Sequence, residues 1–463
     1  MDPMAPPAES TPTSPTAPTA APAPAGGLLT TIDLRGHAGD LRRALPAPEI
    51  VDDGEAAVAV RAILADVRQR GDAALRDATE RFDRVRIDAV RVPPEEVREA
   101  LGRIPGELRT ALEAAHGNIV DYHRSQLHPD SRYERDGVVI RELRKPVDRA
   151  GLYVPGGRAP LASTVLMTAA AARVAGVGQL AMCSPPGPDG TLAPSILAAA
   201  AIAGVDEVYR VGGAQAVAAL AYGTESVPAV DVIVGPGNRY VAIAERLVAG
   251  EGAVGVPSAF TGPSEVAVVA DGTTDATFAA VDLVVQAEHG PDGLAYLITW
   301  SEEAAARIGA EVERITRESP RRAEIEATLE RGGYSVLVEG PEQAMEVANA
   351  VAAEHLELMT ADPEALVPRL TTAGAVFLGP WAPASAGDYA AGPNHVLPTA
   401  RSARFGSALR VDDFCKFIHV VDVDRRGLDR LAPAVEAMAE SEGLAAHADS
   451  VRYRTGAKPR PTS

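Results

Sequence analysis

The sequence predicts an α/β fold: two Rossmann-like doubly wound units with parallel sheets, a helical N-terminal region, and an extended or helical C-terminal tail. Three observations carry this. From Gly151 onward, short apolar runs alternate with alanine-rich helical stretches, the pattern of parallel strands covered on both faces. The runs are too numerous for one small sheet. A chain of 463 residues also exceeds what one ordinary core organises.

Residues 1–27 are Pro, Ala, Thr and Ser without a basic or apolar run, so they read as a disordered tail and not as a signal peptide. Residues 28–150 read as mostly helical and as part of the larger domain. Apolar positions such as Val58, Ile63, Leu64 and Val67 recur at helical spacing, and Pro93-Pro94-Glu95-Glu96 has the proline and carboxylates of a helix start. A strand pair is expected around residues 137–147. Residues 151–261 form the first unit, with strands at 179–183, 207–211 and 230–234 and helices at 195–203, 214–221 and 239–248. Residues 262–405 form the second, with strands at 265–269, 294–299, 335–338 and 356–359 and helices at 274–288 and 341–353. Residues 406–463 return to helical pattern and end in a basic tail.

A formal net charge of −19 disfavours nucleic acid and anionic membranes as partners. No apolar run approaches a membrane span, and two cysteines, Cys183 and Cys415, allow neither a disulfide framework nor a cysteine zinc cluster. A cytoplasmic protein is expected. An anionic cofactor would need local backbone donors or a helix N-terminus.

Such donors are suggested by three glycine-rich turns that follow strands: Tyr153-Val154-Pro155-Gly156-Gly157-Arg158, Val211-Gly212-Gly213-Ala214-Gln215, and Val234-Gly235-Pro236-Gly237-Asn238. Each alone fits a tight turn; three on one sheet suit a dinucleotide pyrophosphate. A nominal Gly-x-Gly-x-x-Ala at Gly176, Gly178 and Ala181 precedes its strand and is rejected.

Gln286 and His289 lie three apart on one face of a predicted helix and could reach one ion, though an ordinary helix end fits as well. Asp388, His395, Glu442 and His447 add borderline donors suited to zinc. Glu354-His355, at a helix–strand junction, could divide base and orienting roles, or be a solvated turn. His37, His116, His123, His128 and His419 receive no role, and Cys183 reads as a buried structural thiol.

In order, Gly151-Leu-Tyr-Val-Pro-Gly-Gly157, Gly212-Gly-Ala-Gln215, Gly235-Pro-Gly-Asn238, Gly262-Pro-Ser-Glu265, Gln286-Ala-Glu-His289, Glu354-His-Leu-Glu357, Gly387-Asp-Tyr389, Asn394-His-Val-Leu-Pro-Thr399 and the Glu442…His447 pair are together highly specific. Over roughly residues 34–454 the chain resembles the histidinol dehydrogenase family. That resemblance implies oxidation of a primary alcohol through an aldehyde to a carboxylate, with NAD and one zinc ion per subunit. It implies zinc ligands Gln286, His289, Asp388 and His447, with Glu354 and His355 catalytic. Ser264, His395 and Glu442 join the zinc ligands and His355 as substrate contacts, and Tyr153, Gln215 and Asn238 as the dinucleotide site. It further implies a homodimer with shared active sites, Glu442 and His447 serving the partner. The approach to Gly262, Val256-Pro-Ser-Ala-Phe-Thr261, departs from the family's acidic, Asp-containing pattern, and the proline of Ala-Gly-Pro393 stands where some relatives carry a small polar residue. Rivals are a paralogue oxidising another primary alcohol, a zinc-dependent hydrolase or lyase, and a non-catalytic solute-binding module.

Overall fold

The computed structural model describes residues 27–46, 54–156, 160–258, 262–288, 290 and 292–457. The expected disordered tail lies, apart from Gly27, outside the described residues, and so does His289.

The strands are, in order, β1 (Thr30–Asp33), β2 (Ser131–Arg135), β3 (Val138–Pro146), β4 (Arg149–Tyr153), β5 (Gln179–Ser184), β6 (Glu207–Arg210), β7 (Val232–Val234), β8 (Glu265–Ala270), β9 (Leu294–Thr299), β10 (Gly333–Leu337), β11 (His355–Met359), β12 (Ala375–Leu378) and β13 (Cys415–Val423). Two sheets are parallel throughout: β6-β5-β4-β7 and β1-β10-β9-β8-β11-β12. Apolar clusters, rich in Ala, Val and Leu, cover both sheets with helices. The predicted fold class is the observed one.

From β4 onward in one sheet, and from β8 onward in the other, the chain reverses its direction of strand addition once. Steps from β4 to β6 run one way and β7 is added on the other side of β4; steps from β8 to β10 run one way and β11 is added beyond β8. These switch points are where open α/β sheets leave a crevice.

The N-terminal region divides its packing. Strand β1 joins the six-stranded sheet beside β10, whereas helices Gly54–Arg70, Asp72–Phe82 and Gly106–Arg124 pack on helices of the four-stranded unit.

Two expectations need correction. The strand pair begins at Ser131, not near residue 137, because Asp136 and Gly137 (φ 54° and 85°) form a two-residue hairpin turn there. The segment after Gly406 is not uniformly helical: β13 pairs antiparallel with β3 over its whole length before helices Arg425–Ser441 and Ala445–Thr455. Its partner lies some 270 residues earlier, so nothing local announces the ladder. Gly176 caps helix Ala162–Ala175 at φ 97°, which agrees with rejecting it as a nucleotide glycine.

Candidate active site

Helix Pro341–Val351 carries proline in its first turn and ends at left-handed Ala352 (φ 53°). The chain then enters β11, so Glu354 and His355 stand at that strand's amino end, His355 in register with Val266 of β8. Both are buried, at 8% and 3% exposure.

His355 is held at both nitrogens. Gln286 Nε2 lies 3.1 Å from Nδ1, and Asp388 Oδ1 lies 3.0 Å from Nε2. A carboxamide nitrogen only donates, so with this amide orientation Nδ1 accepts and the ring proton sits on Nε2, facing the carboxylate. Phe377 stacks on the ring, centroids 5.9 Å apart. Gly387, next to Asp388, permits this: a Cβ there would stand 2.6 Å from the Phe377 ring.

Glu354 accepts the Glu265 amide at 3.1 Å and a hydrogen bond from the Ser264 side chain, and lies 3.8 Å from His355 Nδ1. Burial lifts its carboxyl to about 7, against the pull of His355. Burial pushes His355 down, but Asp388 and Glu354 outweigh it and the imidazole is more basic than usual. Glu265 rises to about 8, through burial first and the Glu354 charge second. One pocket therefore holds acid and base forms in balance near neutrality.

Gln286 occupies the last turn of helix Ala276–Ala287, whose start is capped by Asp275. The carbonyl end of a helix favours a cation. Thr328, buried, reaches the Ala287 and Gly290 carbonyls at 3.0 and 2.7 Å and fixes the turn that follows. Gln286 and Asp388 thus flank one imidazole: Asp388 turns a carboxylate oxygen, a donor suited to zinc, toward Nε2, while Gln286 turns its amide nitrogen toward Nδ1. The other two expected ligands are not brought there. His289 lies outside the described residues, and His447, like Glu442, is exposed near the C-terminus, its side chain meeting no partner among the described residues. Among these residues no three His, Cys, Asp or Glu side chains form a metal-binding group.

His395 joins the two units. Its Nδ1 donates to the Asp388 carbonyl at 2.8 Å, leaving Nε2 to accept from the Thr164 hydroxyl at 3.2 Å on helix Ala162–Ala175. The neighbouring Asn394 is fixed by the Met167 carbonyl (2.9 Å) and by buried His123 (3.3 Å), whose other nitrogen donates to the Ile119 carbonyl. His123 receives no role from the sequence alone and Thr164 carries no signal there; contacts across more than 200 residues reveal both.

The expected dinucleotide residues gather at the carboxyl edge of the four-stranded sheet. Tyr153 ends β4 and accepts the Gly213 amide at 3.1 Å; Gln215 lies buried in the helix after β6; Asn238 follows β7 and caps helix Arg239–Gly250 through the Tyr240 and Val241 amides. Gly235, at φ 127°, passes so close to β4 that a Cβ would stand 2.0 Å from the Tyr153 carbonyl oxygen. Cys183 is fully buried, and burial raises its thiol, as a structural residue requires.

These features first define a class: an α/β enzyme of two doubly wound units, with a buried carboxylate–imidazole pair where the units meet. A family model described as histidinol dehydrogenase matches residues 48–455. The chain is 49% identical to the histidinol dehydrogenase of Parasynechococcus marenigrum, over 85% of this chain and 90% of that one. It is 47% identical to that of Gluconobacter oxydans, over 87% and 94%. The crystal structure of the Elizabethkingia anophelis histidinol dehydrogenase is similar with a TM-score of 0.88 at 34% identity, covering 93% of this chain and 99% of that one. The chain belongs to the histidinol dehydrogenase family, and is an oxidoreductase of histidine biosynthesis.

Proposed function

We propose that this enzyme oxidises L-histidinol through L-histidinaldehyde to L-histidine, with two molecules of NAD reduced per turnover. The observation that carries this is the buried Gln286–His355–Asp388 chain with Glu354 beside it. His355 takes the hydroxyl proton as hydride passes from the carbinol carbon to the nicotinamide, leaving an aldehyde. Glu354, poised near neutrality, draws a proton from water as its oxygen adds to that carbonyl, and His355 returns its proton to the carbonyl oxygen, giving the hydrate. His355 then deprotonates the hydrate for the second hydride transfer, giving the carboxylate. No thiol takes part.

Gln286 and Asp388, with His289 and a His447 supplied by a second copy, would hold one zinc ion. Bound there, zinc would supply a fixed anchor for the substrate's nitrogen atoms, so its contribution is orientation more than Lewis-acid chemistry. Ser264, His395 and Glu442 would complete the substrate contacts, and Tyr153, Gln215 and Asn238 the cofactor contacts. The exposed positions of Glu442 and His447 are what a shared site in a homodimer requires. We place the enzyme in the cytoplasm with its biosynthetic role; among the described residues no helix is long and apolar enough to cross a membrane. The test is to supply NAD and histidinol and follow reduced nicotinamide. Growth to two equivalents per histidinol supports the proposal; growth only with other alcohols indicates a paralogue specificity, and none with any alcohol overturns the redox assignment.

A further inference from the structure

The loop between Asp388 and His395 is gripped at three points by helix Gly106–Arg124, none of whose side chains the proposed reaction uses. Asn118 Nδ2 donates to the Ala390 carbonyl at 2.9 Å. Gly392, at φ 118°, passes so near the helix that a Cβ there would stand 2.9 Å from Tyr122 Cβ and 3.1 Å from the Asn118 carbonyl oxygen. Asn394 Nδ2 lies 3.3 Å from His123 Nε2. At this third point both side chains are buried, His123 at 0% and Asn394 at 4% exposure. Backbone groups fix the direction of the bond between them. The Val396 N–H only donates, so it meets the Asn394 side-chain oxygen, at 3.0 Å. The Met167 carbonyl only accepts, so it meets the Asn394 side-chain nitrogen, at 2.9 Å. That nitrogen also faces His123, whose Nε2 therefore accepts. The Ile119 carbonyl, 2.7 Å from Nδ1, takes the one ring proton. His123 is thus a neutral imidazole in a single tautomer, and burial holds it below the usual imidazole range.

We infer that His123 is a positioning residue that acts through Asn394 on His395 and so holds a substrate contact in place. The Asn394 amide has two N–H groups, and the Met167 carbonyl and His123 Nε2 take both. With that amide fixed, the next side chain leaves the loop in one direction. The His395 ring then sits between the Asp388 carbonyl, at 2.8 Å, and the Thr164 hydroxyl, at 3.2 Å. Without the His123 acceptor a buried N–H is left unmade, which costs more than the bond alone. The amide recovers a partner only by rotating or by shifting the loop, and His395 shifts with it. Apolar packing in place of His123 would fill the space but give the amide no direction. The inference rests on the proposed contact between His395 and the substrate.

The test is the KM and the directly titrated Kd for histidinol of the purified full-length protein, with kcat and thermal melts alongside. Asn at position 123 still reaches the Ile119 carbonyl but is too short to offer Asn394 an acceptor. His123→Asn should therefore raise KM and Kd for histidinol about tenfold, with kcat and the KM for NAD within about threefold of the parent. If that variant does not fold, His123→Leu, of similar bulk and without an acceptor, replaces it with the same expectation. His123→Gln sets a carbonyl oxygen near the Nε2 position, so it should keep KM and Kd within about threefold. A merely structural role would lower the melting temperature of both variants without this split between them. Parental histidinol affinity in His123→Asn, or equal loss in His123→Gln, would overturn the inference. So would full additivity of His123→Asn with His395→Ala, because a residue that acts through His395 adds little once that ring is gone. His395→Ala alone separates the two levels. If it binds histidinol as the parent does, the proposed contact fails; if it loses histidinol while His123→Asn does not, the positioning role alone fails.

Discussion

At the four-stranded sheet the candidate binding residues follow their strands; at the six-stranded sheet they precede them. Tyr153 ends β4, and Gln215 and Asn238 stand beyond the carboxyl ends of β6 and β7, where helices begin. Gln286 and His355 stand at the opposite kind of edge, where helix Ala276–Ala287 ends and β11 begins. The first edge offers positive helix ends and backbone close approach, which suits pyrophosphate. The second offers carbonyl ends and buried side chains, which suits a cation and proton transfer. His395 bridges them from Asp388 to Thr164. One architecture used in opposite polarity would thus separate the proposed anion binding from the proposed metal and acid–base work, with His395 linking the two edges.

The comparison can be broken most severely at the second edge. His355→Asn should lower kcat by about 10²–10⁴-fold while zinc content and NAD affinity stay parental; parental turnover would remove the base from the mechanism. At the first edge, Gly235→Ala forces a Cβ against the Tyr153 carbonyl at a positive φ. It should cost about 1–3 kcal/mol of stability and raise the KM for NAD without touching zinc, as thermal melts, kinetics and metal analysis would show. A smaller effect concerns Asp83, beside the four-stranded unit, whose carboxyl burial raises to about 6. The folded state holds this proton more tightly than the unfolded chain does. The carboxyl therefore costs nothing below its unfolded value near 4, and its cost grows as pH rises through about 6. Asp83→Asn should raise the melting temperature more at about pH 8 than at about pH 5; an equal shift at both would show that its ionisation carries no cost.

How much of this was visible beforehand follows the same division. The first edge is local: strand, glycines and helix start are contiguous, so the turns at Gly213 and Gly235 were visible as a repeated pattern. The second edge is assembled from four separate segments. Adjacent Glu354-His355 and spaced Gln286…His289 each fitted an ordinary surface or helix end, and only the ordered set of family motifs gave them meaning. Thr164 and His123 carry no local signal, because each is defined by a partner more than 200 residues away. Strand β13 was missed for the same reason. The Asp136-Gly137 turn is different: its signal is local, and it sets the hairpin between Arg135 and Val138.

The division of labour between the edges is tested most directly by measuring zinc content and NAD affinity together on Gln286→Ala. Loss of zinc with NAD binding intact is the predicted result. A variant that keeps its zinc, or that loses NAD binding in step with it, contradicts the account.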